Sequence, residues 1–246
     1  MCRHLGYLGP EVALDELLLR PEHALLEQTW APNDMRRGGT INVEGFGVGW
    51  YAENVASPQR YRRDVPMWTD GNFGTIAAHT RSRAVLAAVR SATVDTPVTE
   101  AACAPFTDGR VLFSHNGKVD GWPDSLASLA LGLDVVDLMT LDAPVDSAVV
   151  WALVRQRLGK GEHAENVLGD LVTEIAGAAP GSRLNFLLCD GDTLVATTWT
   201  HSLSVRRVNG AVTVASEPFG PASGWEQVPD GHLVVASPEQ VRMSAL

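Results

Sequence analysis

The sequence predicts an α+β fold with mostly antiparallel sheets, and three features predict it. Strand-like runs rich in β-branched and aromatic residues gather toward the two ends of the chain, helical periodicity lies largely between them, and the strict strand–helix alternation of a parallel sheet is missing. Runs at 45–51 (GFGVGWY), 75–80 (TIAAHT) and 110–115 (RVLFSH) read as strands, followed by 184–189, 193–200, 203–208, 211–215 and 232–236. Asp190-Gly191 and Asn209-Gly210 are the residue pairs that tight hairpins favour. Between the strand groups, Val149, Val150, Leu153, Val154 and Leu158 recur at helical spacing within 146–158, and a second helical pattern covers 163–176. Weaker helical patterns occupy 11–19 and 124–132.

The 246 residues contain neither a flexible linker nor a repeat, so residues 2–246 are expected to form a single domain. Apolar residues make up 45% and charged residues 20%, and no apolar run approaches the about 18 residues of a membrane span. A net charge of −10 disfavours the basic stripe with which a nucleic-acid binder displaces phosphate counterions. No secretory signal is visible, which points to the cytoplasm. Cys2, Cys103 and Cys189 offer neither a zinc pair nor an even disulfide framework, and the histidines lack ligand spacing, so no metal or other cofactor is expected.

Cys2 is the most informative residue. Removal of Met1 would leave a thiol and a free α-amine on one residue, a nucleophile with its own base. An α-amine titrates at about 7.7–8.0, close to working pH, whereas a lysine near 10.4 would stay protonated. Position alone decides nothing, because a small residue after Met1 is equally the start of a frayed terminus.

The combination, in order, of MCRHLGYLG at 1–9, EGFGVGWY at 44–51, HTRSRA at 79–84, PFTDGRVLFSHNG at 105–117 and a lone Asp146 resembles the class-II glutamine amidotransferases, which are N-terminal-nucleophile hydrolases. The resemblance implies a four-layer αββα sandwich with mostly antiparallel sheets. It implies Cys2 as nucleophile, with Asn116 and Gly117 supplying an oxyanion hole in which a side-chain amide and a backbone N–H face the developing negative oxygen. Arg81, the arginine of His-Thr-Arg, would grip the substrate's α-carboxylate bidentately, and Asp146 would hold its α-ammonium. Here the family's Asp-Ser/Thr-Glu signature reads Asp146-Ser147-Ala148, without the glutamate.

Each position also has a plain structural reading. Arg81 could be a surface arginine at a strand end, with Arg83 as a decoy; Asn116-Gly117 is also a favoured hairpin turn; Asp146 could simply cap a helix. His79 and His115 are structural in the family, and Cys103 and Cys189 sit in apolar sequence surroundings that suit core residues.

The implied reaction is attack of the Cys2 thiolate on a γ-glutamyl carbonyl, release of an amine and hydrolysis of the thioester. No synthase pattern follows the closing strands, so the leaving amine is either ammonia lent to a separate synthase or something larger. With VASEPFG at 214–220 and WEQVPDG at 225–231, the pattern is most similar to the stand-alone amidohydrolases of actinobacterial ergothioneine biosynthesis. That likeness implies a small-molecule γ-glutamyl conjugate whose leaving group carries a trimethylated histidine betaine. Aromatic and acidic lining would suit such a cation, and Trp30, Trp50, Trp68, Trp122 and Trp225 are the candidates. A glutaminase subunit feeding a synthase and a sensor without turnover are the competing readings.

Overall fold

A computed structural model describes residues 2–36, 41–93 and 96–246. The first strand, β1 (Arg3–Ala13), leads directly into α1 (Leu14–Leu18); β2 (Phe46–Trp50), β3 (Gln59–Arg63), α2 (Phe73–His79) and β4 (Arg81–Val89) follow. Then come β5 (Phe106–Thr107), β6 (Leu112–Lys118), α3 (Ala127–Ala130), α4 (Val135–Met139), α5 (Asp146–Gly159) and α6 (Ala164–Ala178). The closing strands are β7 (Arg183–Cys189), β8 (Leu194–Thr198), β9 (Ser204–Val208), β10 (Ala211–Ala215), β11 (Trp225–Gln227), β12 (His232–Ala236) and β13 (Val241–Ala245).

The strands form two antiparallel sheets, one of seven in the order β11-β9-β10-β1-β4-β2-β3 and one of six in the order β13-β12-β8-β7-β6-β5. Alternation of side chains along each strand feeds three apolar layers. Leu8, Leu86, Leu112, Leu187 and Val214 meet between the sheets. Leu5, Val48, Val85 and Ala87 pack outward against Leu14 and Leu18 of α1 and Phe73 and Ala77 of α2. On the far side Phe113, Phe186 and Leu188 pack against α5 and α6, with Trp151 stacked on Phe113 at 5.6 Å. Helices therefore cover both outer faces, which is the αββα sandwich of N-terminal-nucleophile hydrolases.

Both helical patterns of the middle segment are present as α5 and α6. The stripe in α5 is broader than its spacing suggests, because Ala148 to Val154 are all buried. The Asn209-Gly210 pair makes the tight β9–β10 hairpin with both residues at positive φ, 53° and 72°. Three expectations need correction. TIAAHT is not a strand but lies largely in α2, where Phe73 and Ala77, four residues apart, bury on one face. The strand instead begins right after it, as the alanine-rich β4, central in its sheet and buried from Ala84 to Val89. The helical pattern at 11–19 is helix only over Leu14–Leu18, its first three residues closing β1, and 124–132 holds one 3₁₀ turn and the short α3.

Candidate active site

Register decides which residues meet. In β1 and β4 Arg3 pairs with Val89 and Ala13 pairs with Arg81, so the two strands share a site end and a far end. Phe46, the first residue of β2, also pairs with Val89. Cys2 precedes β1 at the site end and is half-buried; its Sγ receives the Ser91 N–H at 3.5 Å, the contact a thiolate favours.

A cleft of about 500 Å³, open to solvent, collects Cys2, Arg90, Ser91, Gly117, Asp146 and Ser147. Gly117 lies within β6, paired to Leu184, and not in a hairpin turn; neither it nor Asn116 has positive φ. A Cβ at Gly117 would fall 1.8 Å from the Arg183 carbonyl oxygen, so only glycine fits there. Asp146 is the first residue of α5, with Val145 at the cap position. Its Oδ2 accepts the Val119 N–H at 2.8 Å and its Oδ1 accepts the Ser147 N–H at 2.7 Å. These contacts hold the carboxylate at the cleft although the position after Ser147 is alanine.

Asn116 is buried one residue behind Gly117, on the inter-sheet face of β6, and its amide lies 3.1 Å from Ser216 Oγ. His115 points the other way, toward α5: its Nε2 donates to the Arg183 carbonyl at 2.8 Å, its ring meets Phe186 edge-on, and burial lowers its pKa. It is therefore turned away from Cys2. His79 is exposed at the end of α2.

Arg81 is the sequence-predicted residue that the structure does not bring to the site. It is 49% exposed at the far end of β4 and pairs with Glu11 at 3.4 Å. Nine residues at about 3.3 Å each separate it from Arg90, roughly 30 Å along the strand. Arg90, directly after β4, takes the position expected of Arg81. Its guanidinium donates to the Pro97 carbonyl at 3.0 Å and, more weakly, to the Glu44 carbonyl and Thr96 Oγ1. The signal for it was available, because Arg90-Ser91 repeats the Arg81-Ser82 pair.

Cys103 is buried as expected, yet it also lines the cleft; burial pushes its thiol up to about 11, so it stays protonated near neutrality. Cys189 lies between the sheets, its thiol pushed up to about 12. None of the five candidate tryptophans lines the Cys2 cleft. Trp30 and Trp68 meet edge-on at the surface, Trp50 and Trp122 pack against the outer cores, and Trp225 lines a second cleft with Asp34, Met35, Ser216 and Glu217. Met1 and the question of its removal lie outside the described residues. Among the described residues no group of three His, Cys, Asp or Glu side chains could hold a metal, and no helix is long and apolar enough to cross a membrane.

A γ-glutamyl-hercynylcysteine sulfoxide hydrolase from Mycobacterium tuberculosis is 40% identical over 246 residues, covering 100% of this chain and 97% of the relative. Its namesake from Mycolicibacterium smegmatis is 40% identical over 234 residues, 95% of each chain. A class-II glutamine amidotransferase domain protein from Silicibacter pomeroyi superposes with a TM-score of 0.71 at 23% identity, over 99% of both chains. The family pattern of class-II glutamine amidotransferases matches residues 29–210, and it is to this family that the chain belongs.

Proposed function

We propose that the protein hydrolyses the γ-glutamyl amide of γ-glutamyl-hercynylcysteine sulfoxide to glutamate and hercynylcysteine sulfoxide, acting as a single amidotransferase domain in the cytoplasm. The observation that carries the reading is one cleft holding a thiol, a guanidinium, a carboxylate and a glycine backbone. A γ-glutamyl group presents an α-carboxylate, an α-ammonium and a carbonyl, and each finds its complement there. Arg90 takes the carboxylate through a two-point contact that a lysine could not make. Asp146 takes the ammonium, and Gly117 N–H with the Asn116 amide stabilises the oxyanion.

With Met1 removed, the Cys2 α-amine accepts the thiol proton as the sulfur attacks the γ-carbonyl. The tetrahedral intermediate collapses to a thioester as the same amine returns the proton to the leaving nitrogen. Water, deprotonated by the amine, then cleaves the thioester, releasing glutamate and restoring the thiol. The full-length likeness to the mycobacterial enzymes supports the conjugate as substrate. The second cleft supports it as well. Arg3 donates to the carbonyls of both Cys2 and Asp34, which ties the Cys2 backbone to the rim of that cleft, and the pairing of Asp34 with Arg36 and of the Trp225 ring with Arg206 shows that its lining accepts cations.

The test is glutamate release from glutamine and from γ-glutamyl-hercynylcysteine sulfoxide, side by side. Fast release from the conjugate alone is expected. Preference for glutamine would make the protein an ammonia-supplying glutaminase and send the search to a partner synthase.

A further inference from the structure

The sequence segment VASEPFG contributes no residue to the chemistry above, yet its two polar residues are among the most buried in the molecule: Ser216 is 1% and Glu217 2% exposed. They follow β10, whose residues alternate between the inter-sheet core (Val212, Val214) and the outer helix-covered face (Ala215). Continuing that alternation sends Ser216 inward and Glu217 outward.

Inward, Ser216 Oγ accepts the His4 N–H at 2.9 Å and lies 3.1 Å from the Asn116 amide. Its own proton has no other acceptor among the described residues, and Asn116 Oδ1 is a buried acceptor without a donor. One rotation settles both. With the Asn116 amide turned end for end, Ser216 donates its proton to Oδ1, and the Nδ2 group is left as a free donor. The turn exchanges a buried acceptor without a donor for the Nδ2 donor, and an unpartnered buried donor costs about 1–3 kcal/mol until an oxyanion accepts from it; the turned amide is the one an oxyanion needs.

Outward, Glu217 Oε1 accepts from Arg3 Nε at 2.6 Å, and its Oε2 accepts from His23 Nε2 at 2.7 Å and the Asn33 N–H at 2.8 Å. Arg3, itself 1% exposed, spends its remaining donors on the carbonyls of Cys2 and Asp34. The Cys2 carbonyl is thereby held, which restrains the Cα from which both the amine and the thiol side chain extend. Burial alone would raise the Glu217 carboxyl; Arg3, His23 and the Asn33 N–H outweigh it and keep it below the usual range.

We propose that Ser216 and Glu217 are positioning residues that form a two-sided clamp: Ser216 orients the Asn116 amide toward the oxyanion, and Glu217, through Arg3, orients Cys2. The proposal rests on the reading of Cys2 and Asn116 as catalytic, and the test separates the two. Glutamate release is measured with γ-glutamyl-hercynylcysteine sulfoxide and with glutamine for wild type, Cys2→Ala, Asn116→Ala, Ser216→Ala, the Ser216/Asn116 double alanine variant and Glu217→Gln; turnover of either compound suffices. Ser216→Ala should lower kcat about tenfold, the worth of one hydrogen bond, with KM within twofold. The double variant should turn over within twofold of Asn116→Ala alone, because Ser216 acts only through that amide. Glu217→Gln should lower kcat with KM unchanged. Should it fail to fold, Arg3→Lys, which keeps the charge but loses the fork whose three nitrogens reach Glu217, Cys2 and Asp34 separately, gives the same readout. If Cys2→Ala is dead and Asn116→Ala slow, while Ser216→Ala matches wild type or its loss simply multiplies with that of Asn116→Ala, the inward half of the clamp is overturned. Wild-type kcat in folded Glu217→Gln, or in Arg3→Lys, overturns the outward half. Activity in Cys2→Ala would overturn the catalytic reading itself.

Discussion

The two ends of β4 carry the same dipeptide and do different work. At one end Arg81-Ser82 opens the strand after α2, and Arg81 turns to solvent and pairs with an exposed glutamate. At the other, Arg90-Ser91 leaves the strand beside Cys2, with the Ser91 N–H on the sulfur and the Arg90 guanidinium in the cleft. Residue type and local motif are alike at both ends, and only the register of β4 against β1 distinguishes them. What the sheet places opposite an arginine decides whether it faces solvent or the cleft.

Four measurements can break or sharpen that contrast. Cys2→Ala should abolish glutamate release, since the buried Cys103 thiol that would remain in the cleft stays protonated; residual turnover would mean the cleft is not where chemistry occurs. Arg90→Lys should raise KM on the order of 100-fold, about 3 kcal/mol for a lost bidentate, charge-assisted contact, with the fold intact by circular dichroism. An unchanged KM would remove Arg90 from the site.

Acid should expose a milder difference. At the site end, burial, with the neighbouring His115 and Arg3 adding to it, pushes the His4 ring down to about 3. His201 is pushed down to about 3 as well, mainly by burial, with Arg183 and Arg3 next. Unfolded histidine titrates near about 6.5, so between these values the unfolded chain binds more protons and stability falls as pH falls. Each ring should cost about 1.4 kcal/mol per pH unit across that window, a slope that urea melts from pH 7 to pH 4 would measure and that His4→Gln should reduce. The smallest effect belongs to the far end. Arg81→Lys and Arg81→Ala should leave kcat and KM within twofold of wild type, and lose at most the about 0–1 kcal/mol of an exposed ion pair. A large kinetic loss in either would reverse the assignment.

The same contrast shows how far sequence reasoning reaches. That Cys2, Gly117 and Asp146 would line one cleft was legible from the ordered motifs that carry them, and α5 and α6 were legible because apolar spacing follows helical geometry. What failed was the stretch from 75 to 90. TIAAHT and RAVLAAV are both short apolar runs dominated by alanine, and such runs do not declare helix or strand by periodicity. Taking the first as the strand put its end nine residues too early, and matching His-Thr-Arg at 79–81 put the expected carboxylate contact on Arg81, whereas the residue that lines the cleft is Arg90. Asn116-Gly117 carried a parallel ambiguity, which strand pairing with β7 resolves against a turn. Ser216 and Glu217 were visible as a motif but had no role until the sheet brought β10 beside β1.

Chain ends commonly fray, and local opening there is nearly free. Here β1 is paired on both edges, to β10 and to β4, from its first residues onward. Motions that would swing Cys2 away must break ladders on two sides of a central strand. Amide exchange at Leu5 to Leu8 should therefore proceed only through global unfolding, and a protease that trims loose termini should find no purchase on this one while the protein is folded. Cys2 inherits the lifetime of the whole sheet.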